Sequence, residues 1–103
     1  MTLRLVITQE AKNDINQAAN WHESQQKGLG KKYLLSISDC VKFLLTNPFA
    51  FARIFFEIRK INTKKFPYSL YYQLNESLQE IVIFAVIHNN RGNDSWQKRI
   101  END

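Results

Sequence analysis

Cys40 is the only cysteine in the chain, which excludes a disulfide scaffold and a thiolate metal cluster. Three glycines and two prolines in 103 residues leave little material for long linkers or a disordered tail. No apolar run approaches the length needed to span a bilayer. The opening stretch, MTLRLVITQEAK, holds neither a long apolar run nor a processing site, so no secretory signal is expected and the location is read as cytoplasmic. There is no phosphate-cradling glycine loop, nucleophile elbow or metal-binding helix motif. His22 and His88 are the only histidines and make no recognisable ligand spacing, so neither a metal nor a cofactor is expected. What remains is 44% apolar and 23% charged residues, an ordinary globular balance that suits one domain over 1–103 with a modest core.

The residues that are present follow two periods. LRLVIT (Leu3–Thr8) alternates and is β-rich, which predicts a first strand. Thr8 is placed to cap a helix, with Glu10 in its first turn. Ala11, Ile15, Ala18 and Ala19 then recur at helical spacing, with Asp14, Gln17 and Gln25 elsewhere on the helix. That helix is expected to stop near Gln26–Gly28, where glycine accepts left-handed backbone. Leu29, Tyr33, Leu34, Ile37, Val41, Leu44 and Leu45 form the stripe of a second helix, which Pro48 ends by restricting Asn47. So short a link makes the two an antiparallel hairpin. Cys40 falls in this helix and reads as a small buried hydrophobe.

From Ala52 onward the period shortens to two. RIFFEIRKINTKKF mixes β-branched and aromatic residues with Arg and Lys. Pro67 marks a strand start or bend. YSLYYQL (Tyr68–Leu74) is a strand, NESLQ a turn, and EIVIFAVIH (Glu80–His88) a strand apolar on both parities, so it is expected inside a sheet and covered on both faces. A short last helix is expected in GNDSWQKRI, capped by Asp94 or Ser95, with Trp96 and Ile100 pointing back to the body. The fold class is therefore α+β: an N-terminal strand and a helical hairpin packed on a twisted antiparallel sheet of three to four strands.

The net charge is +4, and it is uneven. Arg53, Arg59, Lys60, Lys64 and Lys65 face Glu57 alone within one short run. Basic residues interleaved with aromatics on a strand suit phosphate contact and ring stacking. The same pattern also serves as a solvated strand face whose lysines discourage edge pairing. His88 ends its strand where it can donate to a phosphate or move a proton near neutral pH. Its competing role is a histidine bonded to backbone or packed beneath Trp96. Arg91 offers a rigid fork for phosphate, or a salt bridge to Asp94. Arg59 is expected to bury its stem and keep its head free. Tyr68, Tyr71 and Tyr72 read mostly as sheet packing; the alternative is that one of them is an acid–base phenol, which with a pKa near about 10 needs strong perturbation. From the residues alone this is a small basic domain suited to RNA, DNA or an acidic peptide.

Taken as a set, AKNDI (Ala11–Ile15), Gly30, NP (Asn47–Pro48), Arg59, FPY (Phe66–Tyr68) and the closing His88, Arg91 and Trp96 resemble the RelE/ParE toxin superfamily, and its ParE-like branch in particular. The resemblance runs over nearly the whole chain. It implies a helical hairpin laid across a twisted sheet, and an antitoxin encoded by an adjacent gene that wraps the toxin in a hetero-oligomer. It implies one of two targets: DNA gyrase for ParE-like members, or messenger RNA in the ribosomal A site for RelE-like members. The favoured expectation is a gyrase inhibitor. The alternatives are a metal-free messenger RNA endoribonuclease and a non-catalytic basic nucleic-acid-binding module. For a nuclease, the candidate catalytic residues are Arg59, Lys64, Lys65, His88 and Arg91. Target or antitoxin binding is assigned to Arg59, Lys60, Lys64, Lys65, His88, Arg91 and Trp96. The nuclease branch also carries a tyrosine near its C-terminus. Here no tyrosine follows Tyr72, and the indole of Trp96 cannot replace a phenolic acid.

Overall fold

The structure, a computed structural model, describes residues 3–91 and 95–101. In chain order its elements are β1 (Arg4–Ile7), α1 (Gln9–Gln25), α2 (Leu29–Thr46), β2 (Arg53–Phe55), β3 (Ile58–Asn62), β4 (Tyr68–Asn75), β5 (Glu80–His88) and α3 (Ser95–Glu101). The strands form one sheet in the order β1-β5-β4-β3-β2. β2 to β5 are antiparallel neighbours, and β1 joins β5 in parallel. The expected α+β architecture is the one observed, with the first strand at the sheet edge.

Thr8 starts α1 as expected: its Oγ1 accepts from the Ala11 amide at 3.1 Å. Gly28 takes a left-handed φ of 88° between the helices. It offers α2 no side-chain cap, and Glu23 of α1 supplies one by accepting from the amides of Gly28 and Gly30. A Cβ at position 30 would lie 2.7 Å from the Ala19 carbonyl oxygen, so only glycine lets the hairpin close this tightly. The helices bury Ala11, Ala18, Ala19, Tyr33, Ile37 and Leu44 against Leu70, Tyr72, Ile81 and Ile83 of the sheet. Cys40 belongs to this core, and burial pushes its thiol up to about 11. Leu34 and Leu45, expected in the stripe, instead stand exposed. Ser36 lies buried where its hydroxyl donates to the Lys64 carbonyl at 2.6 Å.

Two further features go beyond what the sequence pattern predicts. The basic run holds a hairpin, because the chain turns at Phe56 and Glu57 between β2 and β3. An Arg53–Glu57 ion pair at 3.0 Å spans that turn, and Phe56 takes a positive φ of 46°. The apolar character of β5 also has a specific cause. Tyr71 pairs with Ala85 and Tyr72 with Ile83, so Phe84 is an extra residue and the strand bulges. Before the bulge Ile81 and Ile83 face the helices. Beyond it Val86 does, while Ala85 and Ile87 turn to the other face. There they meet Ile58, Tyr71 and Trp96, with Ile100 packed against the cluster. Both faces of β5 are thus covered, and Trp96 and Ile100 point to the body as expected. The alternative caps of α3 included Asp94, which lies outside the described residues, as does the Arg91–Asp94 pairing.

Candidate functional site

The bulge decides what the far half of β5 can do. β1 ends opposite Ile83, whose carbonyl accepts from the Thr8 amide at 3.0 Å. Beyond that point β5 has lost a neighbouring strand, and its outward backbone groups need other partners. Asp14 of α1 accepts from the Val86 amide at 3.0 Å, and Arg99 of α3 donates to the Phe84 carbonyl at 3.0 Å. Arg99 also grips both oxygens of Asp14, at 2.7 Å for the Nη2–Oδ1 contact, and lies 3.4 Å from Glu10. The hydrogen bond to Asp14 raises the Arg99 pKa against the opposing effect of burial. Asp14 therefore does not stand on an outer face of the helix. It ties α1, β5 and α3 together.

Alongside this tie opens a cleft of about 180 Å³, lined by Asp14, Gln17, Ala18 and Trp21 from α1 and by Tyr68, Val86, Ile87, His88 and Arg91. His88 is in register with Tyr68, and their rings meet edge to face at 5.0 Å. The Asn90 amide donates to His88 Nδ1 at 3.0 Å. A nitrogen that accepts that bond carries no proton, so the ring proton sits on Nε2 and His88 is a donor there. The Arg91 amide in turn donates to the His88 carbonyl at 3.0 Å, which closes the turn that carries the guanidinium. Burial raises the Tyr68 pKa, and the nearby charge of Arg91 opposes that rise. Tyr68 therefore keeps its proton at neutral pH. Beneath it lies His22, buried among Tyr33, Phe66 and Tyr68, with no partner for Nε2 among the described residues. Burial, and then the proximity of His88, lower its pKa.

The other basic residues do not gather here. Lys64 and Lys65 are exposed in the turn between β3 and β4, at the Tyr68 end of the sheet but outside the lining of the cleft. Lys60 is on the α3 face, its ammonium 5.9 Å from the Tyr71 ring centroid. Trp96 is buried on that same face and stacks on Tyr71 at 5.8 Å, so His88 is not packed beneath it. Arg59 corrects an expectation: its head is not free. It is 8% exposed, donates to the Phe51 carbonyl at 2.5 Å and lies 5.4 Å from the Phe49 ring centroid, under the end of α2. Long-range folding thus leaves His88 and Arg91 together, brings Tyr68 of the three sheet tyrosines to them, and adds Asp14, Gln17 and Trp21, to which the sequence reading assigned no site role. The one signal in the sequence was the spacing of Asp14, Gln17, Ala18 and Trp21, which places them on a single helical stripe.

Chemically the cleft presents a guanidinium, an imidazole N–H and a protonated phenol. Its single carboxylate among the described residues is committed to Val86 and Arg99. Such a set favours a phosphate or another oxyanion. The model of a family described as "ParE toxin of type II toxin-antitoxin system, parDE" matches residues 5–92. The chain belongs to that family, and so to the RelE/ParE toxin superfamily. The chain is similar in fold to the chromosomal ParDE toxin–antitoxin system of P. aeruginosa, at 16% identity and a TM-score of 0.62, covering 84% of this chain and 96% of that one. It is equally similar to the intact RelBE complex of E. coli, at 16% identity and 0.66, covering 87% and 100%. A mutant E. coli RelE toxin in the free state aligns at 12% identity and 0.70, covering 99% and 98%. The likeness extends to both branches and does not separate them. A search of curated proteins finds no match.

Proposed function

We propose that this chain is the toxin of a type II toxin–antitoxin pair and that it cleaves messenger RNA on the ribosome, the RelE-like activity. One observation carries the reading: Tyr68, His88 and Arg91 meet at a single open cleft beside α1. Cleavage through the 2′-hydroxyl of RNA needs positive charge on the phosphate and a proton for the leaving 5′-oxygen. Arg91 supplies the charge, His88 Nε2–H bonds a non-bridging oxygen, and Tyr68 holds the proton that the leaving oxygen takes. No free base lines the cleft among the described residues, since Asp14 is bound and His88 Nδ1 is occupied. The 2′-hydroxyl proton then leaves to a group that the ribosome brings, which makes the activity ribosome-dependent. The partner is an antitoxin encoded by the adjacent gene.

The second reading is inhibition of DNA gyrase, favoured by the matching family model. The same donors would then hold a phosphate or carboxylate of the target without cleaving it. Programmed ribosomes decide between them. Message should be cleaved on ribosomes and left intact in free solution, and Arg91→Ala should slow cleavage by about a hundredfold. Intact message together with arrested gyrase supercoiling would overturn the RNA reading in favour of the second.

A further inference from the structure

The geometry points to a nucleobase subsite in the cleft: Trp21 stacks one unpaired base, with the Gln17 amide at its edge, while the phosphate of that nucleotide lies against His88 and Arg91. This rests on the RNA reading above.

Four residues of α1 line the cleft, and they divide its work. The Asp14 carboxylate is taken up by Val86 and Arg99. Ala18 is small and buried, so it leaves room rather than contact. Gln17 and Trp21 remain, and both are exposed. Trp21 is 57% exposed although its neighbour His22 is buried. Its ring meets that of His22 edge to face at 5.0 Å, which leaves indole surface on which a planar ring can stack. A bare indole in a hollow beside an arginine is unfavourable in water and ready for a flat, electron-poor partner. The Gln17 amide offers one donor group and one acceptor, the pairing that a base edge needs.

Size argues for one group of a larger ligand. At about 180 Å³ the cleft falls below the roughly 300 Å³ at which enclosed small-molecule sites begin. A stacking plane, an amide for a heterocyclic edge and a cation for an oxyanion are together the three needs of one nucleotide in a single strand. An aliphatic peptide side chain would use only the first.

The test uses programmed ribosomes carrying message in which each A-site nucleotide in turn is an abasic residue that keeps its 2′-hydroxyl. Single-turnover cleavage by the wild-type toxin should fall about five- to a hundredfold at one of the three positions. Trp21→Ala should show the same fall on intact message and no further fall when that base is missing. Trp21→Phe should keep most of the rate, since a ring remains. Wild-type cleavage that no abasic position slows, or Trp21→Ala cleaving as fast as wild type, overturns the subsite and leaves the RNA reading standing. No cleavage by the wild type overturns both. Unchanged cleavage by Trp21→Ala with slower neutralisation by the adjacent gene product would make Trp21 an antitoxin contact instead.

Discussion

At the residue scale, the most demanding group is His22. It is 7% exposed, and among the described residues neither its Nε2 nor the Tyr33 hydroxyl in the same cage of aromatic rings has a partner. Burial and His88 lower its pKa, so the folded protein holds the ring neutral while the unfolded chain takes up a proton below about pH 6.5. The unfolded state then binds more protons, and stability must fall as pH falls. His22→Phe removes that titration and keeps a ring in the cage. Urea unfolding at several pH values should show the stability difference moving in favour of the variant from about pH 8 to pH 5. A difference that does not change with pH would mean His22 titrates alike in both states. His22 also shows where reading the sequence stops. Cys40 and Trp96 were legible because apolar residues at helical spacing bury themselves. His22 and Arg59 were not, because their surroundings come from residues far along the chain: Tyr68 for the first, Phe49 and Phe51 through an intervening turn for the second.

At the element scale, the strands and helices were legible where punctuation is strong. Thr8, Gly28 and Pro48 mark the helix ends, and Pro67 marks the start of β4. The β2–β3 hairpin was hidden because its turn uses Phe56 and Glu57 in place of glycine or asparagine. The β5 bulge was hidden because a strand covered on both faces has no polar residue to reveal a change of parity. That bulge creates the candidate site, and Asp14 holds it by joining three elements that no local pattern connects. Asp14→Ala leaves Arg99 without its main partner and the Val86 amide without an acceptor, and should cost about 2–4 kcal/mol. Arg99→Met keeps most of the stem but leaves the Asp14 carboxylate without its guanidinium and the Phe84 carbonyl without that donor, and should cost a similar amount. In a double-mutant cycle read by urea unfolding, the pair should couple by more than about 1 kcal/mol. Additive losses would show that α3 is held by Trp96 and Ile100 alone.

At the scale of the whole molecule, net charge and local charge tell different stories. The +4 balance suggested one basic patch, but folding spreads the basic run over the α3 face, the end of α2 and the β3–β4 turn. Apolar surface is less dispersed in chemistry: Leu34, Leu35 and Phe43 stand out from α2, and Ile54, Phe55 and Phe56 from the β2 hairpin. Phe56 is 78% exposed and sits in left-handed backbone, where a bulky side chain costs about 1–2 kcal/mol. Neither feature stabilises the free chain, and both make sense if an amphipathic partner long enough to reach each of them covers these residues. Such a partner gains affinity from apolar burial, while charges at the rim mainly set its rate of encounter. Phe56→Asn should therefore stabilise the free protein by about 0.5–1 kcal/mol, since asparagine tolerates that backbone, and should raise the dissociation rate from the adjacent gene product. Lys64→Ala should slow association instead, with the difference vanishing at high salt as exposed charges are screened. Stopped-flow binding at two salt concentrations separates the two effects. If Phe56→Asn stabilises the chain and leaves dissociation unchanged, the hairpin tip lies outside the interface, and the exposed face of α2 must carry the apolar contact by itself.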